Sequence, residues 1–215
     1  TSIAIPASVT TIGGFAFSST SSLANVSFAS GSLLQSIGDG AFASTGLTSI
    51  AIPASVTTIG HYAFYSTSSL ASVSFDSGSR LQSIGSWAFF QSGLTSIAIP
   101  ASVTSVGESA FQYTSSLTSV SFDSGSQLQS IGSRAFQRSG LTSITIPASV
   151  TTIGDYAFYS ASSLASVSFD SGSLLQSIGS WAFRQSGLTS IAIPASVTTI
   201  GSQAFYSASS LASVT

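Results

Sequence analysis

The chain has 215 residues, of which 43% are hydrophobic, only 5% are charged, and none is Cys or Met. With a net charge of −2 and just four cations, Arg80, Arg134, Arg138 and Arg184, it lacks the basic stripe that nucleic-acid binding requires. Ser and Thr interrupt every apolar stretch before it reaches the ~18 residues of a membrane-spanning helix, and the lack of Cys removes disulfides, thiolate nucleophiles and Cys-ligated metal.

Taken in chain order, the elements repeat. Leu47-Thr-Ser-Ile-Ala-Ile-Pro53 returns at Leu94, Leu141 and Leu188. Leu70-Ala-Ser-Val-Ser-Phe75 returns at Leu23, Leu117, Leu164 and Leu211. Both series share one period, the step from Leu47 to Leu94. Each period holds two related coils, of about 23 and 24 residues, within the range of leucine-rich repeats. Within a coil, the alternation Ile50-x-Ile52 predicts a short strand with one apolar face, so Ser49 and Ala51 point outward. Pro53 ends the strand because it lacks a ladder donor. Val56 and Ile59 point inward again. Gly60 suggests a turn with positive φ. Ala63-Phe64 then closes the coil, with the ring filling its centre. The A-F pair occurs nine times, its rings falling at Phe17, Phe42, Phe64, Phe89, Phe111, Phe136, Phe158, Phe183 and Phe205.

A single coil cannot bury its own apolar side chains, so the coils must stack. The expected fold is a β-rich leucine-rich-repeat solenoid of the repeat α/β class. It has about nine coils, a parallel concave sheet, short second strands, and helical or 3-10 turns on the convex side. It forms one domain, 1–215. The first and last coils have no polar caps, so the reading is an uncapped segment of a longer protein. End-to-end assembly into a filament is the alternative.

The motif L-T-S-I-x-I-P-x-S-V-T-x-I-G-x-x-A-F resembles the BspA-like, or Treponema-type, leucine-rich repeats, and the resemblance covers the whole chain. It implies an extracellular or cell-surface scaffold for adhesion or for protein or glycan interaction. Family members often carry Cys three residues after the A-F Phe. Here Thr20, Thr45, Thr67, Ser92, Thr114, Ser139, Ala161, Ser186 and Ala208 stand at that site.

Candidate sites follow from where the repeat varies. Outward strand positions are uniform and small, so they offer no aromatic or Arg anchor for a tight concave-face contact. Variation concentrates beside A-F, at the rings of Phe15, Tyr62, Tyr65, Trp87, Phe90, Tyr113, Tyr156, Tyr159, Trp181 and Tyr206, and at Gln112, Arg134, Gln137, Arg138 and Arg184. These rings either contact a surface protein, a glycan or a neighbouring copy, or lie flat and shield the convex face. Asn25-Val-Ser27 is an N-glycosylation acceptor. Asp76, Asp123 and Asp170 recur within D-S-G-S, which reads as a turn rather than a calcium site, since each coil offers one carboxylate. His61 has no nucleophile or orienting partner within sequence reach and reads as a solvent-facing residue. No catalytic, cofactor or metal motif appears, and the chain is not read as an enzyme. A structural role in a fibre or surface layer is the second reading. Ice binding by Thr57-Thr58, Thr104-Ser105 and Thr151-Thr152 is the third, weakened because alternate coils replace these pairs with Gln-Ser.

Overall fold

A computed structural model describes residues 1–215. Two series of strands wind through it. The first comprises β1 (Ser2–Ile5), β3 (Asn25–Phe28), β5 (Ser49–Ile52), β7 (Ser72–Phe75), β9 (Ser96–Ile99), β11 (Ser119–Phe122), β13 (Ser143–Ile146), β15 (Ser166–Phe169), β17 (Ser190–Ile191) and β19 (Ser213–Val214). The second is β2 (Thr11–Ile12), β4 (Ser36–Ile37), β6 (Thr58–Ile59), β8 (Ser83–Ile84), β10 (Ser105–Val106), β12 (Ser130–Ile131), β14 (Thr152–Ile153), β16 (Ser177–Ile178) and β18 (Thr199–Ile200). Every pairing is parallel and joins a coil to the next. We number the coils one to nine by their A-F Phe residues.

The alternation of Ser-Ile-Ala-Ile sets the inside of each coil. In β5, Ile50 and Ile52 are buried while Ser49 and Ala51 are exposed. One apolar cluster of 51 buried residues runs through the stack. At its centre the nine A-F rings form a column, with centroids 5.1–5.5 Å apart and planes within 12° of parallel. The seven rings from Phe42 to Phe183 have no solvent exposure.

The convex side departs from expectation: it contains no helix or 3-10 segment. Each coil instead places two residues in the left-handed region, one just before A-F and one four positions later. Tyr62 (φ 56°) and Ser66 (φ 53°) are such a pair. A helix needs consecutive right-handed residues, so these two positions stop one from forming. The backbone turns its donors along the stack. Tyr62, Phe64 and Ser66 donate to the carbonyls of Ser86, Ala88 and Phe90 at 2.9, 2.7 and 2.8 Å. The same three bonds recur at every coil junction and make a third inter-coil ladder beside the two series of strands. All the non-glycine residues with positive φ, from Phe15 to Ser207, lie in this segment. The ladder holds them there, against an intrinsic preference of about 1–2 kcal/mol each.

That balance is testable at Ser44, which is exposed, left-handed (φ 54°) and bonded only through its backbone. Glycine relieves the left-handed penalty but gives up roughly 0.5–1 kcal/mol of chain entropy. Ser44→Gly is therefore expected to stabilise the protein by about 0.5–1 kcal/mol in thermal denaturation. A destabilised variant would contradict the strain argument.

A second correction concerns the glycine before A-F. Gly60 and its equivalents are not left-handed. From Gly38 onward they lack a Cβ because the preceding coil leaves no room for one: at Gly85 it would stand 2.5 Å from the carbonyl carbon of Gly60.

The two coil types also pair unequally. At the shorter step, as between β1 and β3 or β5 and β7, the strands pair in register along their whole length. At the longer step, β3 meets β5 only at Asn25–Ser49 and β7 meets β9 only at Ser72–Ser96. β15 meets β17 through Ser166 and Val167 alone, and β11 and β13 fall into separate sheets. The cause is the longer turn of the second-type coil. Ala29–Ser32 or Asp76–Ser79, with a left-handed Gly31 or Gly78, swings away, whereas the first type turns at once at Pro53. The strand face therefore opens at every second junction, while the sheet from β2 to β18 stays continuous.

Candidate interaction surface

The left-handed backbone sets the direction of the side chains just before A-F. Tyr62 and Trp87 occupy this position in coils three and four, and their rings stack at 5.2 Å, 4° from parallel. Immediately after A-F, Tyr65 and Phe90 stack at 4.9 Å and 3°, and Tyr113 meets Phe90 edge-on at 5.3 Å. Tyr62 and Tyr65 touch edge-on within their coil at 5.7 Å. A second patch follows on coils seven to nine: Tyr156 stacks on Trp181 at 5.8 Å, Tyr159 lies edge-on to Tyr156, and Tyr206 tilts against Trp181 at 6.3 Å. Nine of the ten rings singled out by sequence thus fall into two patches on one ridge. Phe15 stands apart, 65% exposed, with its ring over the bare backbone of Gly40.

Three of the four arginines, Arg134, Arg138 and Arg184, belong to this ridge, at the variable positions beside A-F that the sequence marked; what the structure adds is their contact with the rings. Arg184 lies 3.8 Å over Trp181, with Tyr206 and Tyr159 at 5.0 and 5.7 Å. Arg138 lies over Tyr113, and Arg134 lies over Tyr156 while pairing with Glu108 at 3.1 Å. The steps between successive A-F rings, Phe111 to Phe136, Phe136 to Phe158 and Phe158 to Phe183, align Arg138 with Tyr113, Arg134 with Tyr156 and Arg184 with Tyr159. The rings both pack on one another and meet solvent. Tyr62 and Tyr206 are 38% and 52% exposed, and both tryptophans are half-buried.

Elsewhere the variable positions serve the stack. His61 Nδ1 accepts the Ser86 N–H at 3.0 Å, while the His61 backbone N–H donates to Asp39 Oδ1 at 2.8 Å. Asp155 Oδ1 accepts the Ser180 N–H in the same way, at 2.7 Å. The hydroxyls of Thr45, Thr67 and Thr114 donate to the carbonyls of Phe42, Phe64 and Phe111. Ser92, Ser139 and Ser186 at the same site leave their buried hydroxyls without a partner. Asp76, Asp123 and Asp170 are exposed beside the left-handed Gly78, Gly125 and Gly172, as a turn requires. No three His, Cys, Asp or Glu side chains come together. Asn25 is exposed on β3.

A profile of the BspA type leucine rich repeat region matches residues 1–118 and 82–212, in six copies. The chain belongs to the BspA-type leucine-rich repeat family. No curated protein sequence matches it. Among solved structures of this BspA-type fold, the pneumococcal vaccine antigen PcpA is similar over 99% of this chain, at 25% identity and a TM-score of 0.65. The chain spans 61% of the PcpA chain. A leucine rich cell surface protein from Faecalibacterium prausnitzii is 26% identical, with 100% of this chain and 78% of that one covered and a TM-score of 0.50. The T. pallidum leucine-rich repeat protein is 22% identical, with 86% and 75% covered and a TM-score of 0.62, a likeness of fold. No helix of this BspA-type chain is long and apolar enough to cross a membrane.

Proposed function

We propose that this chain is a surface-displayed, non-enzymatic repeat scaffold that binds a protein partner along its aromatic–arginine ridge. The observation that carries this is the ridge itself. Half-exposed Tyr, Trp and Arg side chains gather there, and these residue types dominate binding energy at protein interfaces. Most of the remaining surface is Ser, Thr and Ala, so the ridge is where one coil differs from the next. A cell-surface setting agrees with the relative from F. prausnitzii described as a cell surface protein, and with PcpA described as a vaccine antigen. The rings are already stacked on their neighbours, so little side-chain freedom remains to be lost on binding.

Beads coated with the protein, passed over immobilised extracellular-matrix glycoproteins and intact cells, provide the test. The triple variant Tyr62→Ser, Trp87→Ser, Phe90→Ser is expected to lose retention at least tenfold. A strand-face variant, Ser49→Lys with Ser143→Lys, should keep it. The only two tryptophans, Trp87 and Trp181, both lie in the ridge, so a bound partner should also shift their fluorescence. Equal retention of the ridge variant and the parent protein would refute the proposal.

A further inference from the structure

The broken register of the strand face creates a second surface, unrelated to the ridge. At three of the longer steps an open cleft separates the end of one strand from the next coil, with volumes of about 600, 710 and 680 Å³. Small-ligand sites span roughly 300–1,000 Å³. The lining repeats with the sequence. In the middle cleft, Ser72, Ser74 and Ser96 present hydroxyls, Asp76 and Asp123 add carboxylates, and Phe75 and Pro100 supply apolar wall. In each cleft a lining serine also bridges the two coils: Ser55, Ser102 and Ser196 donate to the carbonyls of Ser32, Ser79 and Ser173 at 2.9, 3.1 and 3.0 Å. No Arg or His lines any of the three, and the chain's one ion pair lies elsewhere.

We propose that these clefts bind a linear, neutral, β-1,4-linked glycan running along the solenoid, with alternate sugars seated in successive clefts. The chemistry selects the class. Serine hydroxyls both donate and accept, and carboxylates accept from neighbouring sugar hydroxyls. A half-buried ring faces the C–H side of a sugar. With no cation in any cleft, uronic or sulfated chains find no counter-charge. Strand pairing is also interrupted there, so backbone groups next to the cleft are open to a ligand's hydroxyls.

Spacing selects the linkage. The first two clefts stand two coils apart and the third four coils further on, roughly 10 Å and 20 Å by strand spacing, so all three keep one two-coil period. A β-1,4-linked chain turns over at each sugar and repeats every second one, each sugar advancing by about one coil. An extended peptide shows the same face every two residues, about 6.6–6.8 Å, and falls out of step.

The whole chain should be titrated with cellohexaose by calorimetry and saturation-transfer NMR. Cellohexaose is expected to bind at least tenfold more tightly than cellobiose, because the longer chain reaches more than one cleft. The double variant Asp76→Asn, Asp123→Asn is expected to weaken binding at least fivefold, and Ala98→Arg, which fills the middle cleft from an exposed position, should do the same. Circular dichroism melting confirms that both variants fold. Trp87→Ser with Trp181→Ser, on the ridge, should leave binding unchanged. The proposal fails if cellohexaose does not bind at millimolar concentration, or if the cleft variants bind like the parent. It also fails if dextran or a proline-rich peptide binds equally well, or if the ridge variant abolishes binding.

Discussion

Phe111→Ala is expected to destabilise the protein by about 3–5 kcal/mol, the range for truncating a buried Phe. Phe111 has no solvent exposure and stacks on Phe89 at 5.3 Å and on Phe136 at 5.2 Å. Its removal opens a void in the middle of the column. Inter-coil hydrogen bonds hold the backbone on both sides of the void: Phe111 donates to the Ala135 carbonyl, and the Ala110 carbonyl accepts from Phe89. The surroundings therefore cannot collapse to fill it. Stability in a solenoid is a sum of interfaces between neighbouring coils, and this change weakens two at once. Phe205, half-buried and stacked on one side, should lose markedly less on the same truncation. Urea denaturation of both variants checks the argument. A loss below about 1 kcal/mol at Phe111, or equal losses at the two positions, would contradict a continuous column.

The column was legible in the sequence because ring spacing, strand alternation and coil length all pointed to one stack. The variable positions beside A-F were legible too, as departures from a repeat. What sequence could not show has a common cause: each feature depends on which residues become neighbours between coils. Tyr62 and Trp87 carry no local sign of a left-handed backbone, a region that favours Gly and Asn. They adopt it because Tyr62 donates to Ser86 and Trp87 to Glu108 across the junction. A helical turn was the reasonable local expectation, and the inter-coil ladder overrode it. Arg184 shares its place after A-F with Tyr159 and Tyr206 in the coils on either side, which sequence shows, but its position over the Trp181 ring between them appears only in the structure. The extra length of alternate coils could be counted, but its effect, a strand ladder that opens at every second junction, appears only in the pairing of Ser72 with Ser96 alone.

Gly60 and its equivalents show the same limit and lead to the second large expected effect. A recurring glycine fits a left-handed turn or a close approach equally well. The neighbours decide: a Cβ on Gly85 would stand 2.5 Å from the carbonyl carbon of Gly60, 2.6 Å from its oxygen and 2.7 Å from the His61 nitrogen. All three are backbone atoms, so no rotamer change can make room. Relief requires the coils to separate where Gly85 donates to Ile59 at 2.9 Å and where β6 and β8 pair. Gly85→Ala is therefore expected to cost about 3 kcal/mol or more, at the upper end for overpacking, because the ladders on both sides resist the shift. Gly13 supplies the control. It occupies the same position in coil one, is not left-handed, and has nothing within 4 Å of where a methyl would sit. Gly13→Ala should be neutral or stabilising by about 0.4–1 kcal/mol, through the reduced entropy of the unfolded chain. If backbone conformation were the reason for glycine, both substitutions would destabilise by similar amounts. If the next coil's backbone is the reason, thermal denaturation will separate them, because only Gly85 has a coil packed against the face where the methyl would go.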